Sequence, residues 1–248
     1  MSDYRQNACK GRLMDFQGKK VLVIGTGLSG VGAAEVLCKK GAQVLVLEQN
    51  EKADEAAIRE KIDALLSAQE RERLAVHVGG LPEGTGAGSF DLVVPSPAVP
   101  LDSPIITSFR DAGIPVISEI ELGSLFEKGK IIAITGTNGK TTTTTLVGEI
   151  MKAVDPKVFV VGNIGRSYAA ASIETTADSV TVGEISSFQL EAAFSFHPAV
   201  CAILNITPDH LNRHYTMENY AAIKERIGRN QTPGEACVLN YEVSLFCR

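Results

Sequence analysis

The sequence predicts an α/β protein built on parallel sheets, and three observations carry that reading. Apolar runs at 20–24 (Lys-Val-Leu-Val-Ile) and 44–47 flank a helical stretch, and the first of them ends on glycines. Strands that are apolar along their whole length, without alternation, belong to parallel sheets buried on both faces. The same strand–glycine–helix pattern starts again at Ile131, so the 248 residues, more than one average domain, read as two such units.

In chain order, the first strand is followed by a helix from Val31 to Lys40, with Gly41 as its stop. Val44–Leu47 is the second strand, closed by Glu48. Residues 51–73 read as one charged surface helix. Val76, Val78 and then Leu92–Val94 supply further strands, with a loop rich in Gly and Pro between them at 79–89. The run Pro95-Ser-Pro-Ala-Val-Pro100 is expected to be irregular, because three prolines break any hydrogen-bonded ladder. A short helix near 103–112 and a strand at 115–117 complete a first domain, placed at residues 1–121. The stretch 119–129 reads as a connecting helix and turn. A second domain, 122–248, opens with the strand Ile131–Thr135 and continues through strands at Val158–Val161, Ser179–Glu184, Val200–Ile206 and Ala236–Asn240. On this reading Arg248 arrives before a second α/β domain is complete.

Composition narrows the class. With 44% hydrophobic and 21% charged residues the chain has an ordinary globular makeup, and a net charge of −5 argues against a broad nucleic-acid surface. Small anions are still possible ligands, since a phosphate site needs only local amides and a cation or two. The cysteines Cys9, Cys38, Cys201, Cys237 and Cys247 have no paired spacing, which fits neither a zinc site nor a disulfide framework and suits a reducing compartment. The amino terminus lacks the apolar core of a secretory signal, and no apolar run approaches a membrane span. The expectation is a cytoplasmic protein with no membrane or nucleic-acid partner.

The strongest chemical signal is Thr135-Gly136-Thr137-Asn138-Gly139-Lys140-Thr141, which follows an apolar strand and opens a helix. Loop amides and a helix amino terminus point at phosphate oxygens, Lys140 supplies a point charge, and the Thr141 hydroxyl suits Mg²⁺. The general phosphate-loop spacing would put glycine where this chain has Ile134, so the shorter form carries the case. A plain strand–turn–helix link is the competing reading. The threonines at 141–145 weigh against it, because β-branched residues start helices poorly.

Three other features are weaker alone. Gly25-Thr-Gly-Leu-Ser-Gly30 with Glu48 at the end of the next strand matches a dinucleotide fingerprint, which NAD and UDP satisfy equally. Glu184 ends a strand, where ligands gather in such sheets, yet an isolated glutamate there would more often be solvated. In the helix Met217–Ile227, capped by Thr216, Lys224 falls on the stripe of Tyr220, Ile223 and Ile227. Such a lysine either snorkels to water or is partly buried with a lowered pKa.

Taken together, the phosphate loop resembles that of the Mur ligases, which activate a carboxylate with ATP and join it to an amine. Ser96-Pro-Ala98, Asn163-Ile-Gly165, Glu184-Ile-Ser-Ser-Phe-Gln-Leu-Glu191, Asp209-His210 and Tyr220-x-x-x-Lys224 appear in the family's order. Within the family the resemblance points to the D-glutamate-adding branch. The L-alanine branch usually has His in place of Asn138, and the later branches, like folylpolyglutamate synthase, lack the opening domain.

The resemblance implies a Rossmann-like amino-terminal domain and a central ATPase-like α/β domain of the P-loop kind. It implies a ligase of peptidoglycan precursor synthesis that takes UDP-N-acetylmuramoyl-L-alanine, D-glutamate and ATP, with two Mg²⁺ ions, acting as a monomer. ATP would meet Gly136, Thr137, Asn138, Gly139, Lys140, Thr141 and Thr142. Leu28 and Ser29 would approach the UDP phosphates and Glu48 and Gln49 the uridine, with Ser96, Asn163 and Ser186 also facing substrate. Lys140 would carry catalysis, Thr141 and Glu184 would hold one metal, and His210 and a carbamoylated Lys224 the other. Two departures stand out: Ala98 replaces a glycine, and Asn212 replaces the usual aspartate. The family's third domain and the acidic residues that usually follow Val238-Leu-Asn240 are not found, so this polypeptide alone is expected not to turn over. The readings from other classes are a non-catalytic UDP-sugar or nucleotide-binding module and an NAD-dependent oxidoreductase.

Overall fold

The computed structural model describes residues 15–154 and 157–241. The readings made on the first fourteen residues, on Cys9, on Cys247 and on the tail from 242 lie outside them.

Two parallel sheets form the frame. The first contains β1 (Lys20–Ile24), β2 (Gln43–Glu48), β3 (Leu74–Val78) and β4 (Leu92–Pro95), in the order β3-β2-β1-β4. The second contains β5 (Lys130–Thr135), β6 (Val158–Gly162), β7 (Val180–Glu184), β8 (Val200–Ile203) and β9 (Ala236–Leu239), in the order β6-β7-β5-β8-β9. All ladders between named strands are parallel.

The continuous apolar runs are explained by burial on two faces. From β1, Val21 and Val23 pack under α1 (Leu28–Lys39), while Leu22 and Ile24 pack against Ile106 and Phe109 of α4 (Pro104–Asp111). In the second sheet Ile134 and Val182 meet Val147 and Met151 of α6 (Lys140–Lys152). Ile131, Ala133 and Ile203 face the opposite side, toward α7 (Tyr168–Ser172), α8 (Ser187–Leu190) and, beyond the short α9 (Leu211–His214), α10 (Met217–Glu225).

Several elements differ from expectation for identifiable reasons. The charged segment 51–73 is two helices, α2 (Glu55–Asp63) and α3 (Ala68–Arg71), because Leu66 turns into the core and Ser67 with Glu70 forms a new capping box. The first helix starts at Leu28, not Val31, directly off the glycine turn. Pro95 belongs to β4, an edge strand, where a missing N–H is tolerated. Residues 115–117 give one bridge, Val93 to Val116, since Pro115 has no N–H to extend a ladder. β8 ends at Ile203 because Asn205 turns its carbonyl to Thr137.

The two sheets are joined by helices with small residues. A Cβ at Gly32 of α1 would lie 2.0 Å from Ser167 Oγ, at the start of α7, so the helices meet at backbone distance. The connecting helix α5 (Glu119–Ser124) is held from both sides. Glu119 Oε1 accepts from Ser167 Oγ and the Ala169 amide, each at 2.6 Å. Glu121 accepts from the amides of Phe194, Ser195 and Phe196. Both carboxylates are buried, and burial raises the pKa of Glu119. Among the described residues no helix is long and apolar enough to cross a membrane.

Candidate functional site

In open parallel sheets ligands collect beyond the carboxyl ends of strands whose connections depart in opposite directions. In the first sheet that point lies between β1 and β4. Gly25 follows β1 with φ 97°, and a Cβ there would stand 2.8 Å from the Cβ of Ser96. A Cβ at Gly30 would stand 1.9 Å from the Gly25 carbonyl oxygen, so the turn needs glycine at both places. In the second sheet the point lies between β5 and β8, where the Gly136–Lys140 loop begins.

The two points face one cavity of about 440 Å³. Leu28, Ser29, Ser96, Pro97 and Ala98 line it from the first sheet. Lys140, Asn163, Ser186, His210 and Lys224 line it from the second, together with Phe188 and Tyr220. Expected site residues from both domains thus share one space. Glu48 and Gln49 do not line it. They stand at the end of β2, where Glu48 accepts from Thr26 Oγ1 (2.5 Å) and the Asn50 amide, and the Thr26 bond lowers its pKa.

The phosphate loop is compact. Lys140 Nζ donates to the carbonyls of Gly136 (3.0 Å) and Thr137 (2.8 Å). Gly139, with φ 81°, precedes α6 without any side-chain cap, so the amides of the first turn have no intrahelical partner. The threonine run does not prevent this helix from starting at Lys140.

Glu184 is buried at the end of β7. Its Oε2 accepts from Thr141 Oγ1 at 2.7 Å and its Oε1 from Asn163 Nδ2 at 3.1 Å. Lys224 is 1% exposed, which overturns the snorkelling reading. Its Nζ donates to the Gly136 carbonyl at 2.8 Å and lies 4.7 Å from the centre of the Tyr220 ring. Burial, and then the charge of Lys140, pull its pKa down to about 7. His210 has a left-handed backbone (φ 52°) and stays exposed beside Phe188. Asn212 is also exposed.

A hydroxyl and a carboxylate side by side suit a hard cation that completes its shell with water and phosphate oxygens. Among the described residues no three His, Cys, Asp or Glu side chains gather as a cage. Thr141 and Glu184 are therefore one pair, which does not itself line the cavity, and His210 and Lys224 stand apart from it on the cavity wall.

Two members of the site, His214 and Arg213, are given no role of their own by the sequence. His214 is buried, with Nε2 2.9 Å from Ser187 Oγ and its ring stacked on Tyr220, and burial lowers its pKa to about 4. Arg213 pairs with Glu191 and donates to the Val99 carbonyl, so it bridges the two halves of the cavity rim. Polar residues crowd the stretch 207–214 in the sequence, and that crowding does not separate the roles of its members.

Residues 19–118 match the Mur ligase MurD-like amino-terminal domain, and residues 134–246 match the Mur ligase middle domain. The chain is 54% identical over 229 residues to the UDP-N-acetylmuramoylalanine–D-glutamate ligase of Lachnospira eligens, covering 92% of this chain and 49% of that protein. It is 51% identical to the same-named ligase of Lachnoclostridium phytofermentans, again over 49% of its length. The chain thus spans about half the length of these relatives. In fold it resembles the UDP-N-acetylmuramate:L-alanyl-γ-D-glutamyl-meso-diaminopimelate ligase of Neisseria meningitides, with TM-score 0.57 at 16% identity over 92% of this chain and 72% of that one. The murein peptide ligase of Psychrobacter arcticus is a second such likeness, with TM-score 0.52 at 15% identity over 91% and 50% of the two chains.

Proposed function

Because the chain belongs to the Mur ligase family, we propose that it forms the UDP-substrate side and the phosphate side of a ligase adding D-glutamate to UDP-N-acetylmuramoyl-L-alanine at the expense of ATP. The observation that carries this reading is the single cavity between a UDP-type glycine turn and a phosphate loop. We set the domain boundary at residues 121 and 122, within α5.

In this mechanism the substrate carboxylate attacks the γ-phosphorus of ATP, giving an acyl phosphate and ADP. The amine of D-glutamate then attacks the acyl carbon, and the tetrahedral intermediate expels phosphate. The obstacle is crowding of negative charge, so positioned cations and amides do most of the work. Lys140 leaves its loop carbonyls for the phosphate oxygens, and the free amides of the first turn of α6 take the remainder. Thr141 and Glu184 are suited to hold one Mg²⁺, whose role is to neutralise developing charge on the phosphoryl oxygens. His210 and Lys224 are assigned to a second. For Lys224 to serve it must carry an anionic carbamate, and its burial and lowered pKa favour the neutral amine that reacts with CO₂. Leu28, Ser29 and Ser96 face the UDP-sugar phosphates, and Asn163 and Ser186 face the reacting end.

Melting shifts test the reading directly. UDP-N-acetylmuramoyl-L-alanine and Mg²⁺–ATP are each expected to stabilise the chain, and NAD is not. Stabilisation by NAD alone would favour an oxidoreductase. The UDP ligand acting without any ATP effect would favour a plain UDP-sugar binder. A monomer in a reducing cytoplasm is part of the same proposal.

A further inference from the structure

Two amides of the phosphate loop are held from outside by one side chain. Asn205 follows β8, and its Oδ1 accepts from the Asn138 amide at 2.8 Å and the Thr137 amide at 3.1 Å. Its Nδ2 donates back to the Asn138 carbonyl at 3.0 Å, and its own carbonyl accepts from the Thr137 amide at 3.0 Å. The next residues continue the seam. Thr137 Oγ1 donates to the Thr207 carbonyl at 3.2 Å and accepts from the Thr207 amide at 3.0 Å.

We propose that Asn205 is a positioning residue of the phosphate loop: its carboxamide oxygen fills the place an anion would take at the Thr137 and Asn138 amides, so the anion is received only by the amides from Gly139 onward. This rests on the phosphate-binding reading above. Two loop amides aimed at Asn205 Oδ1 are not free for a ligand, whereas the first turn of α6 begins at an uncapped Gly139. The device needs an acceptor and a donor in one short planar group. Aspartate keeps the acceptor, loses the donor and adds a negative charge beside the site, whereas alanine removes all three side-chain bonds and leaves the main-chain carbonyl to the Thr137 amide. Asn205 lies five positions before His210, so the same anchor fixes the loop relative to the segment that carries a proposed metal ligand.

The experiment is Mg²⁺–ATP titration of the ¹⁵N-labelled chain and of N205A and N205D, with melting curves to establish that each is folded. In the wild type the amides of Gly139, Lys140, Thr141 and Thr142 are expected to shift and those of Thr137 and Asn138 to stay near their free positions. N205A is expected to lose exchange protection at Asn138, while the Thr137 amide keeps the main-chain carbonyl of residue 205, and to bind ATP roughly tenfold more weakly, the effect of losing a few modest hydrogen bonds. N205D keeps that protection and still binds more weakly, a separation that a purely structural residue would not produce. A folded N205A with unchanged ATP affinity, or wild-type shifts centred on Thr137 and Asn138, overturns the assignment while phosphate binding stands. No shift anywhere in the wild-type loop overturns the phosphate reading and this assignment with it. If N205A does not fold, N205D decides: unchanged affinity there counts against the proposal.

Discussion

Thr141 donates its hydroxyl to Glu184 at 2.7 Å and so ties the first turn of the phosphate-loop helix to the end of the adjacent strand β7. Both side chains are among those proposed to hold a divalent cation, so the charge of Glu184 can be tested apart from this hydrogen bond. E184Q is nearly isosteric and still accepts from Thr141, but it carries no charge. Its ATP affinity without magnesium is expected to change little, while the gain on adding Mg²⁺ falls by about tenfold or more, in keeping with a loss of 1.4 kcal/mol or more. Calorimetry with and without Mg²⁺ measures both, and an undiminished magnesium effect in E184Q would remove Glu184 from the metal site.

Lys140 tests the division of labour between the sheets. K140A removes the loop's mobile cation and leaves the Gly25–Gly30 turn untouched. The melting shift with ATP is expected to vanish and that with UDP-N-acetylmuramoyl-L-alanine to persist. Loss of both would mean that the two halves of the cavity do not bind independently.

The buried amine of Lys224 gives a spectroscopic expectation. With a pKa near 7 it becomes increasingly neutral as pH rises through that value, and only the neutral form adds CO₂, releasing one proton. With ¹³C-bicarbonate a carbamate carbon signal is expected at pH 8, weakening as pH falls below about 7 and missing in K224M. A spectrum at pH 8 identical to that of K224M would refute carbamoylation.

His214 makes the fold acid-sensitive in a defined window. Its native pKa of about 4 lies below the ordinary imidazole value of 6.5, so as pH falls below 6.5 the unfolded chain binds a proton that the native imidazole refuses. Stability contributed by this group is complete above 6.5, declines toward pH 4 and is then level. One pKa unit corresponds to about 1.4 kcal/mol, so the swing is on the order of 3 kcal/mol. Denaturant melts of H214Q between pH 4 and 7 are expected to have a shallower pH slope than wild type, and equal slopes would contradict this account.

At the helix seam, G32A introduces a methyl 2.0 Å from Ser167 Oγ. Overpacking of this kind costs about 1–3 kcal/mol. G32A is therefore expected to lower the melting temperature by several degrees and to weaken ligands that touch both halves of the cavity. An alanine variant as stable as wild type would mean that the helices can separate without cost.

The sheets and the glycine turns were legible because their causes are local: unbroken apolar runs, and glycines at the carboxyl ends of β1 and β5. The break at Leu66 was not, because nothing nearby in sequence says that one leucine of a charged segment must turn inward. Lys224 divides the two kinds of knowledge. Its spacing placed it on the buried stripe of α10, yet a lysine stem can bend to water, and only the packing of Tyr220 and the Gly136 carbonyl around it decides the matter. Asn205 and His214 depend on contacts with residues 67 and 27 positions away, beyond the reach of any local pattern.

The seam between α1 and α7 also governs which sequences the fold can accept. A glycine at 32 faces Ser167, and Ala169, Ala170 and Ala171 follow in the facing helix, all buried. Tolerance there is set by volume and hardly at all by polarity. A saturation scan would find serine and alanine near-equivalent at 169–171 and every larger residue rejected, with exposed positions of the same helices permissive. The spacing of the two binding surfaces is thus inherited through a size limit on residues that never touch a ligand.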